Sequence, residues 1–214
     1  MSNRVKVGVL ISGNGTNLQA LIDAANSTTY PAEISLVISN RADAKGLKRA
    51  RDAGIKTEII EHEKYDTRES FDEELSLTLH QHHCEIICLA GFMRILSIGF
   101  VNNWKNKILN IHPSLLPSFP GTKVHSQAIS AGVRISGCTL HYVTNKLDAG
   151  PIIAQAAVPV HGSDTPQELA ERILKQEHKL YPAGLAIVAN RLANTSVTAP
   201  EEISTTKEHV LINF

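Results

Sequence analysis

Val5-Lys6-Val7-Gly8-Val9-Leu10-Ile11 runs directly into Ser12-Gly13-Asn14-Gly15-Thr16-Asn17, and this junction decides the fold class. The first stretch is almost continuously apolar, which is typical of a strand buried on both faces of a sheet. The second is rich in glycine and polar residues and predicts a tight turn. Beyond it, apolar residues recur with helical spacing at Leu18, Leu21, Ile22 and Ala25. The junction therefore predicts a strand, a turn and a helix in succession.

The same alternation continues through the middle of the chain. Further strands are predicted over residues 34–39, 56–60, 86–90 and 107–111. Between them lie a helix over 44–52 that ends at Gly54 and a helix that begins at Asp66-Thr67-Arg68-Glu69, interpreted as a cap with glutamate at the third helical position. Strands that alternate with helices favour an α/β fold, with an open, mostly parallel sheet and helices on both faces.

The C-terminal part of the chain departs from this alternation. Residues 138–143 and 152–160 are two strand-like runs joined by a short polar turn, which predicts an antiparallel addition to the sheet. Thr165-Pro166-Gln167-Glu168 combines a capping box with proline at the first helical position and predicts a long helix to about Tyr181. Because Ser, Thr and Glu dominate from Asn194 onward, we expect one domain over 1–193 and a surface tail over 194–214, with docking of 210–214 left open.

The charge balance excludes some classes of partner. The chain of 214 residues carries 21 Lys and Arg against 21 Asp and Glu, so its formal net charge is +0. A protein without an excess of either sign lacks the field that attracts nucleic acid or an anionic membrane, and we expect neither as a partner. The first residues have no signal-peptide pattern, and no apolar run is long enough to cross a bilayer. The cysteines, Cys84, Cys88 and Cys138, lie in apolar stretches, which favours buried, reduced thiols in a cytoplasmic protein.

The glycine-rich turn is a candidate phosphate site. Glycines between a strand and a helix let backbone N–H groups converge, and the helix N-terminus adds partial positive charge. The turn lacks the Gly-Lys-Ser/Thr of a Walker A loop, and the spacing of the dinucleotide fingerprint fails at Leu18. A tight turn without a ligand is the alternative. The carboxyl end of the first strand, where such sheets usually bind ligands, favours phosphate.

Asn110 and His112 are the first candidate catalytic pair. They end the fifth predicted strand, and period-two alternation places them on the same side. The amide N–H₂ can stabilise a developing oxyanion and the imidazole can carry a proton, which suits acyl transfer. A strand end with a hydrogen-bonded histidine is the alternative interpretation, and it is the more common one for an isolated Asn-x-His.

Asp148 is the third candidate and lies far along the chain, just before Gly150-Pro151. A carboxylate on a rigid turn would orient His112 and favour its charged form. Asp, Gly and Pro also form turns without any catalytic role. The sequence alone leaves open whether Asp148 meets His112.

Four separated segments together resemble one family. They are Ser12-Gly13-Asn14-Gly15-Thr16-Asn17, Ala90-Gly91-Phe92-Met93-Arg94-Ile95-Leu96, Asn110-Ile111-His112-Pro113-Ser114-Leu115-Leu116-Pro117 and Leu147-Asp148-Ala149-Gly150-Pro151. The chain resembles the phosphoribosylglycinamide formyltransferases of the folate-dependent formyltransferase family from about residue 5 to about residue 190. The resemblance implies a Rossmann-like formyltransferase fold. It also implies formyl transfer from 10-formyltetrahydrofolate, as co-substrate, to the amine of 5-phosphoribosylglycinamide in de novo purine biosynthesis.

The resemblance also implies a role for individual residues. The catalytic ones would be Asn110, His112 and Asp148. The phosphoribosyl group would be held by Gly13, Asn14, Gly15, Thr16, Asn17 and Glu177. The folate would be held by Arg68, Met93, Arg94, Ile95, Leu96, Asn110, Thr144, Asn145, Lys146, Leu147 and Asp148. We expect direct attack by the amine without a metal or a covalent enzyme intermediate, small-molecule substrates only, and a monomer or weak homodimer.

Two residues depart from the family pattern, and a third, Glu177, is a carboxylate in an apolar stripe. Lys123 stands where relatives often carry a second histidine, and Asn145 where an acidic or apolar residue is usual. Glu177 shares a helical face with Leu169, Ile173 and Leu180, so its carboxylate needs a partner or a ligand.

Two other functions remain as alternatives. A formyltetrahydrofolate deformylase would share the chemistry, although such relatives usually carry an additional N-terminal regulatory domain. A non-catalytic sensor of phosphoribosyl ligands would keep the turn, and intact Asn110, His112 and Asp148 argue against it. Methionyl-tRNA as acceptor is disfavoured by the neutral charge.

Overall fold

The computed structural model describes residues 4–195, which contain seven strands and six α-helices. The strands are β1 (Val5–Ile11), β2 (Ala32–Ser39), β3 (Lys56–Ile59), β4 (Ile86–Leu89), β5 (Ile108–His112), β6 (Ile135–Tyr142) and β7 (Ile152–Pro159). The helices are α1 (Thr16–Ala25), α2 (Gly46–Asp52), α3 (Arg68–Gln81), α4 (Ile98–Asn103), α5 (Val124–Ser130) and α6 (Pro166–Thr195). One turn of 3-10 helix, His62–Lys64, precedes α3.

The strands form a single sheet in the order β3-β2-β1-β4-β5-β6-β7. Neighbours from β3 to β5 are parallel, whereas β6 and β7 are antiparallel additions. The predicted fold class is confirmed. The chain moves outward from β1 to β3 and returns to place β4 on the other side of β1. The carboxyl ends of β1 and β4 are therefore the switch point at which such sheets bind ligands.

Two apolar cores sandwich the sheet. One packs α1, α2 and α6 against alternating strand residues such as Leu109 and Ile111, and the other packs α3 and α4 against residues such as Ile108. Asn110 alternates with Leu109 and Ile111, so it faces the α3 and α4 side. The packed sheet therefore holds Asn110 and His112 rigidly at the carboxyl end of β5.

The predicted end of the last helix at Tyr181 is wrong, because α6 continues through Pro182 to Thr195. Proline removes one helical hydrogen bond, but the apolar stripe beyond it remains buried at Leu185, Val188 and Ala189. The Tyr30 hydroxyl also donates to the Pro182 carbonyl at 2.6 Å. The rest of the predicted tail, from residue 196, lies outside the described residues.

Side-chain caps mark the starts of α3, α4 and α6. The predicted capping box before α6 is confirmed: Thr165 N–H donates to Glu168 Oε2 at 2.7 Å and Glu168 N–H donates to Thr165 Oγ1 at 3.2 Å. The cap of α3 was predicted one residue too early, since Thr67 accepts from Ser70 N–H at 3.1 Å. The short helices α4 and α5 were not predicted. No helix within residues 4–195 is long and apolar enough to span a membrane.

Candidate active site

The pairing of β5 with β6 places Asn110 directly opposite His141. The Asn110 amide Nδ2 donates to His141 Nε2 at 3.2 Å, and His141 Nδ1 donates to the Tyr142 carbonyl at 2.9 Å. A carbonyl only accepts, so the proton of His141 lies on Nδ1 and its Nε2 is free to accept. Burial lowers the pKa of His141, which favours this neutral form. His141 therefore fixes the orientation of the Asn110 amide.

His112 and Asp148 meet at the carboxyl end of β5. Nδ1 of His112 lies 3.5 Å from Asp148 Oδ2, and the two side chains are only 6% and 9% exposed. The other imidazole nitrogen, Nε2, lies 2.9 Å from the carbonyl oxygen of Phe119. Both ring nitrogens thus face oxygen acceptors. A ring nitrogen that carries a proton can therefore donate to the oxygen it faces.

The loop between β6 and β7 holds the Asp148 carboxylate in place. Gly121 N–H donates to Asp148 Oδ2 at 2.8 Å, and the backbone of Asp148 has a φ of 47° in the left-handed region. The loop closes tightly because Gly150 has no side chain: a Cβ there would lie 1.8 Å from the Tyr142 carbonyl oxygen. Asp148 Oδ1 also lies 3.9 Å from His141 Nε2. The Asp148 carboxylate thus lies between the imidazoles of His112 and His141.

The glycine-rich turn lies at the switch point, on the same carboxyl edge of the sheet as this cluster, with β4 between β1 and β5. It lines a pocket at the ends of β1 and β4 together with Ala90, Gly91 and Met93. Gly15 is the N-cap of α1 with a φ of 68°, and a Cβ on it would lie 2.7 Å from Gly46 Cα. Only glycine fits this backbone without strain. The turn and α1 thus have the local geometry that was predicted.

Asn17 and Glu177 come together from α1 and α6. Asn17 Nδ2 donates to Glu177 Oε2 at 2.7 Å, and the two residues are 9% and 7% exposed. Burial raises the pKa of Glu177, and the hydrogen bond from Asn17 opposes that shift. Asn17 Oδ1 is buried without a partner among the described residues. A buried acceptor without a donor indicates a place for a ligand hydroxyl or amine.

The segment after β4 carries exposed apolar side chains. Met93 is 79% exposed and Ile95 63% exposed, and Leu147 of the β6–β7 loop is 62% exposed. The segment is tied to the glycine-rich turn, because Met93 N–H donates to the Ser12 hydroxyl at 2.8 Å. Large exposed apolar residues on a fixed backbone are typical of a binding surface.

Comparison with known protein families identifies the family to which this chain belongs. The family model described as formyl transferase matches residues 5–185. The chain belongs to the formyl transferase family. The cluster of Asn110, His112 and Asp148, the glycine-rich turn and the exposed apolar segment all fall inside the matched range.

Named relatives fall within the same family. The phosphoribosylglycinamide formyltransferase of Escherichia coli K12 is 46% identical over 178 residues, covering 83% of this chain and 84% of that protein. The trifunctional purine biosynthetic protein adenosine-3 of Gallus gallus is 53% identical over 189 residues, covering 88% of this chain and 19% of that protein. The chain therefore spans about a fifth of the length of such trifunctional relatives.

Solved structures of formyl transferases share the fold. Phosphoribosylglycinamide formyltransferase from Anaplasma phagocytophilum has a TM-score of 0.82 at 51% identity, over 88% of this chain and 89% of that one. Glycinamide ribonucleotide transformylase 1 from Symbiobacterium toebii has a TM-score of 0.87 at 45% identity, over 89% and 90%.

The other predicted folate-site residues of this formyl transferase occupy varied environments. Arg94 places its guanidinium 5.3 Å above the Phe71 ring, and Leu96 is buried in the core beside α4. The Asn145 amide donates to Asn102 Oδ1 at 3.2 Å. The remaining ones are exposed: Arg68, Thr144 and Lys146. Lys123, the second departure from the family pattern, is exposed at the start of α5 with a φ of 58°.

Sequence reasoning missed two residues of this site. His141 lies in an apolar strand, where a single histidine is usually a satisfied core residue, and only the strand register pairs it with Asn110. Ser12 was treated as part of the turn. Its hydroxyl in fact links Met93 N–H to Asn40 Oδ1, to which it donates at 2.6 Å. A polar residue directly after β1 was the only available signal.

Proposed function

We propose that this chain transfers a formyl group from 10-formyltetrahydrofolate to the amine of 5-phosphoribosylglycinamide, a step of de novo purine biosynthesis. The observation that carries the proposal is the cluster of Asn110, His112 and Asp148 at the carboxyl edge of the sheet that also carries the glycine-rich turn. The names of the relatives from Escherichia coli and Gallus gallus support the choice of substrates. The buried free cysteines agree with a reducing compartment, and we place the reaction in the cytoplasm.

The ribonucleotide occupies the switch point in this proposal. Its phosphate meets the backbone N–H groups of the turn and the N-terminus of α1. Asn17 and Glu177 supply acceptors for the ribose hydroxyls, which is consistent with the partnerless Asn17 Oδ1. The folate lies against Met93, Ile95 and Leu147, whose exposed apolar side chains suit a flat aromatic ring.

The cluster then stabilises the tetrahedral intermediate. The amine of the ribonucleotide attacks the formyl carbon while both substrates are held together, and the carbonyl oxygen becomes an oxyanion. Collapse of this intermediate breaks the bond between the formyl carbon and the folate nitrogen. The amine loses one proton and the leaving folate nitrogen gains one, which releases tetrahydrofolate and the formylated ribonucleotide. Asn110 Nδ2 carries two hydrogens. One is used on His141, so the second has a fixed direction and can donate to the oxyanion. Cationic His112, held by Asp148, adds a positive charge at the same place.

The main role proposed for His112 is electrostatic, and proton transfer is secondary. Its Nε2 already faces the Phe119 carbonyl at 2.9 Å, so delivery of a proton from Nε2 to the leaving folate nitrogen requires that contact to open. The charge of the imidazolium acts without any such movement. We therefore assign the larger share of its effect to the oxyanion.

One assay tests the proposal. Purified protein is mixed with 10-formyltetrahydrofolate, with and without phosphoribosylglycinamide, and formylated ribonucleotide and free formate are both quantified. The proposal predicts formylated ribonucleotide and little formate. Formate released equally in both mixtures would identify a deformylase, and binding without turnover would identify a sensor. Activity lost on chelation and restored by a metal would contradict the metal-free mechanism.

A further inference from the structure

The carbonyl groups of the glycine-rich turn are held by α2. Gly46 N–H donates to the Gly13 carbonyl at 3.0 Å. The Arg49 guanidinium donates from Nε to the Asn14 carbonyl at 2.9 Å, and from Nη1 to Gln19 Oε1 at 3.2 Å. Two successive peptide units of the turn are thus anchored, by their oxygen atoms, to one short helix.

Anchored carbonyls determine where the neighbouring N–H groups point. In a trans peptide the C=O of one residue and the N–H of the next are on opposite sides of the bond. Because the Gly13 and Asn14 carbonyls face α2, the N–H groups of Asn14 and Gly15 face away from it. Among residues 4–195, none accepts a hydrogen bond from the backbone N–H groups of residues 13–17. These N–H groups remain available to a ligand.

Close packing reinforces the same orientation. A Cβ on Gly46 would lie 2.6 Å from Ile11 Cδ1 and 3.2 Å from Gly15 Cα. A side chain at position 46 would crowd the Ile11 methyl and the Gly15 backbone, so glycine favours the close approach of α2 that these hydrogen bonds need. If either anchor were lost, a peptide of the turn could rotate and present a carbonyl oxygen, which repels an anion.

We propose that Arg49 and Gly46 are positioning residues of the phosphate site: they hold the turn's carbonyls on α2 so that its N–H groups converge on the phosphate. The inference rests on the proposed function, which places the ribonucleotide phosphate at this turn. Arg49 acts through the Asn14 carbonyl and makes no contact with phosphate. A guanidinium with two of its nitrogens used inside the protein is suited to this task.

The test compares four variants: Arg49→Met, Arg49→Lys, Gly46→Ala and Lys48→Met. Lys48 is the matched control, because it is one residue away on α2 and pairs with Asp52 at the surface. Calorimetry measures the Kd of phosphoribosylglycinamide, of its dephosphorylated analogue and of the folate. Losing one orienting hydrogen bond to the turn should weaken the phosphorylated ligand about tenfold. The other two ligands should change less than about twofold.

The variants separate positioning from a direct charge contact. Gly46→Ala keeps every charge and should show the same selective loss as Arg49→Met, whereas Lys48→Met should bind like the wild type. Arg49→Lys should remain impaired, since its ammonium is displaced from the position of Nε. Full affinity in Arg49→Lys, or an equal loss in Lys48→Met, would overturn the inference. Equal weakening of the phosphorylated and dephosphorylated ligands would also overturn it.

The wild-type protein distinguishes failure of this inference from failure of the proposed function. If it does not bind phosphoribosylglycinamide at all, the proposed function is wrong. Inorganic phosphate is then the probe of the turn. The inference still predicts weaker phosphate binding in Arg49→Met than in Lys48→Met, and it is overturned if the two variants bind phosphate equally.

Discussion

Asn110 and His141 are joined across the β5–β6 pair by a hydrogen bond of 3.2 Å from the amide to the imidazole. Because one amide hydrogen of Asn110 is used on His141, the direction in which the second can donate is fixed. A buried histidine of β6 is therefore part of the candidate oxyanion site.

The first prediction concerns this orientation. Replacing His141 with Ala removes the acceptor, so the Asn110 amide can rotate, and kcat should fall about tenfold with little change in KM for either substrate. His141→Gln places an amide oxygen near the position of Nε2 and should recover most of the lost kcat. Steady-state kinetics of both variants check this. An equal loss of kcat in the two would show that His141 acts only through packing.

Stability should depend on pH through buried histidines. Burial lowers the pKa values of His125, His141 and His178, so their folded forms prefer to be neutral. Below the ordinary histidine pKa of about 6.5 the unfolded chain binds more protons than the folded one, and stability falls as the pH falls. The free energy of unfolding should therefore be lower at about pH 5.5 than at about pH 7. In His141→Gln the difference between the two pH values should shrink, and an unchanged difference would contradict this.

Glu177 should affect the pH dependence of stability in the opposite direction to the histidines. Burial raises its pKa, so the folded state prefers the neutral acid, and the penalty for its charge appears as the pH rises above the ordinary glutamate value of about 4.3. Glu177→Gln keeps an acceptor for Asn17 and removes the charge. At neutral pH the variant should be more stable by about 1 kcal/mol in denaturant unfolding. It should also bind phosphoribosylglycinamide more weakly, because a ribose acceptor is lost. A less stable variant would contradict the assignment.

A substitution at Gly15 tests the phosphate turn at the N-cap of α1. A Val there would have to adopt a φ of 68° and would collide with Gly46 Cα. Gly15→Val should weaken the ribonucleotide by at least about tenfold while the folate Kd stays within about twofold. Direct binding measurements on both ligands decide the matter, with thermal unfolding as the check that the variant is folded. Equal weakening of the two ligands would reject the turn as the phosphate site.

The parts of the fold that were predictable are those encoded locally. The run from Val5 to Asn17 carries its own strand, turn and cap signals, and the capping box at Thr165 is contained in four residues. The extension of α6 past Pro182 was not predictable, because it depends on burial of residues such as Leu185 against other elements. Tertiary packing thus keeps α6 helical beyond Pro182, a residue that usually ends a helix.

The candidate site was predictable only in pieces. Alternation places Asn110 and His112 on one side of a strand, but no local pattern brings Asp148 to them. That contact depends on the β6–β7 loop folding back over the end of β5, with Gly121 N–H holding the carboxylate. The family resemblance named all three residues. It gave neither the second imidazole beside Asp148 nor the anchoring of the turn by Arg49.

The contact between His112 and Asp148 is the centre of the account, and a single-turnover measurement on Asp148→Asn tests it most directly. Asparagine tolerates the left-handed φ at this position and can still accept from Gly121 N–H, so the loop should keep its shape. Asp164→Asn removes a carboxylate from the remote pair with Arg172 and is the control. The account predicts a loss of about 10²–10⁴ in the rate of formyl transfer for Asp148→Asn, with the ribonucleotide Kd nearly unchanged and the control near wild type. A variant that keeps most of the wild-type rate would contradict it.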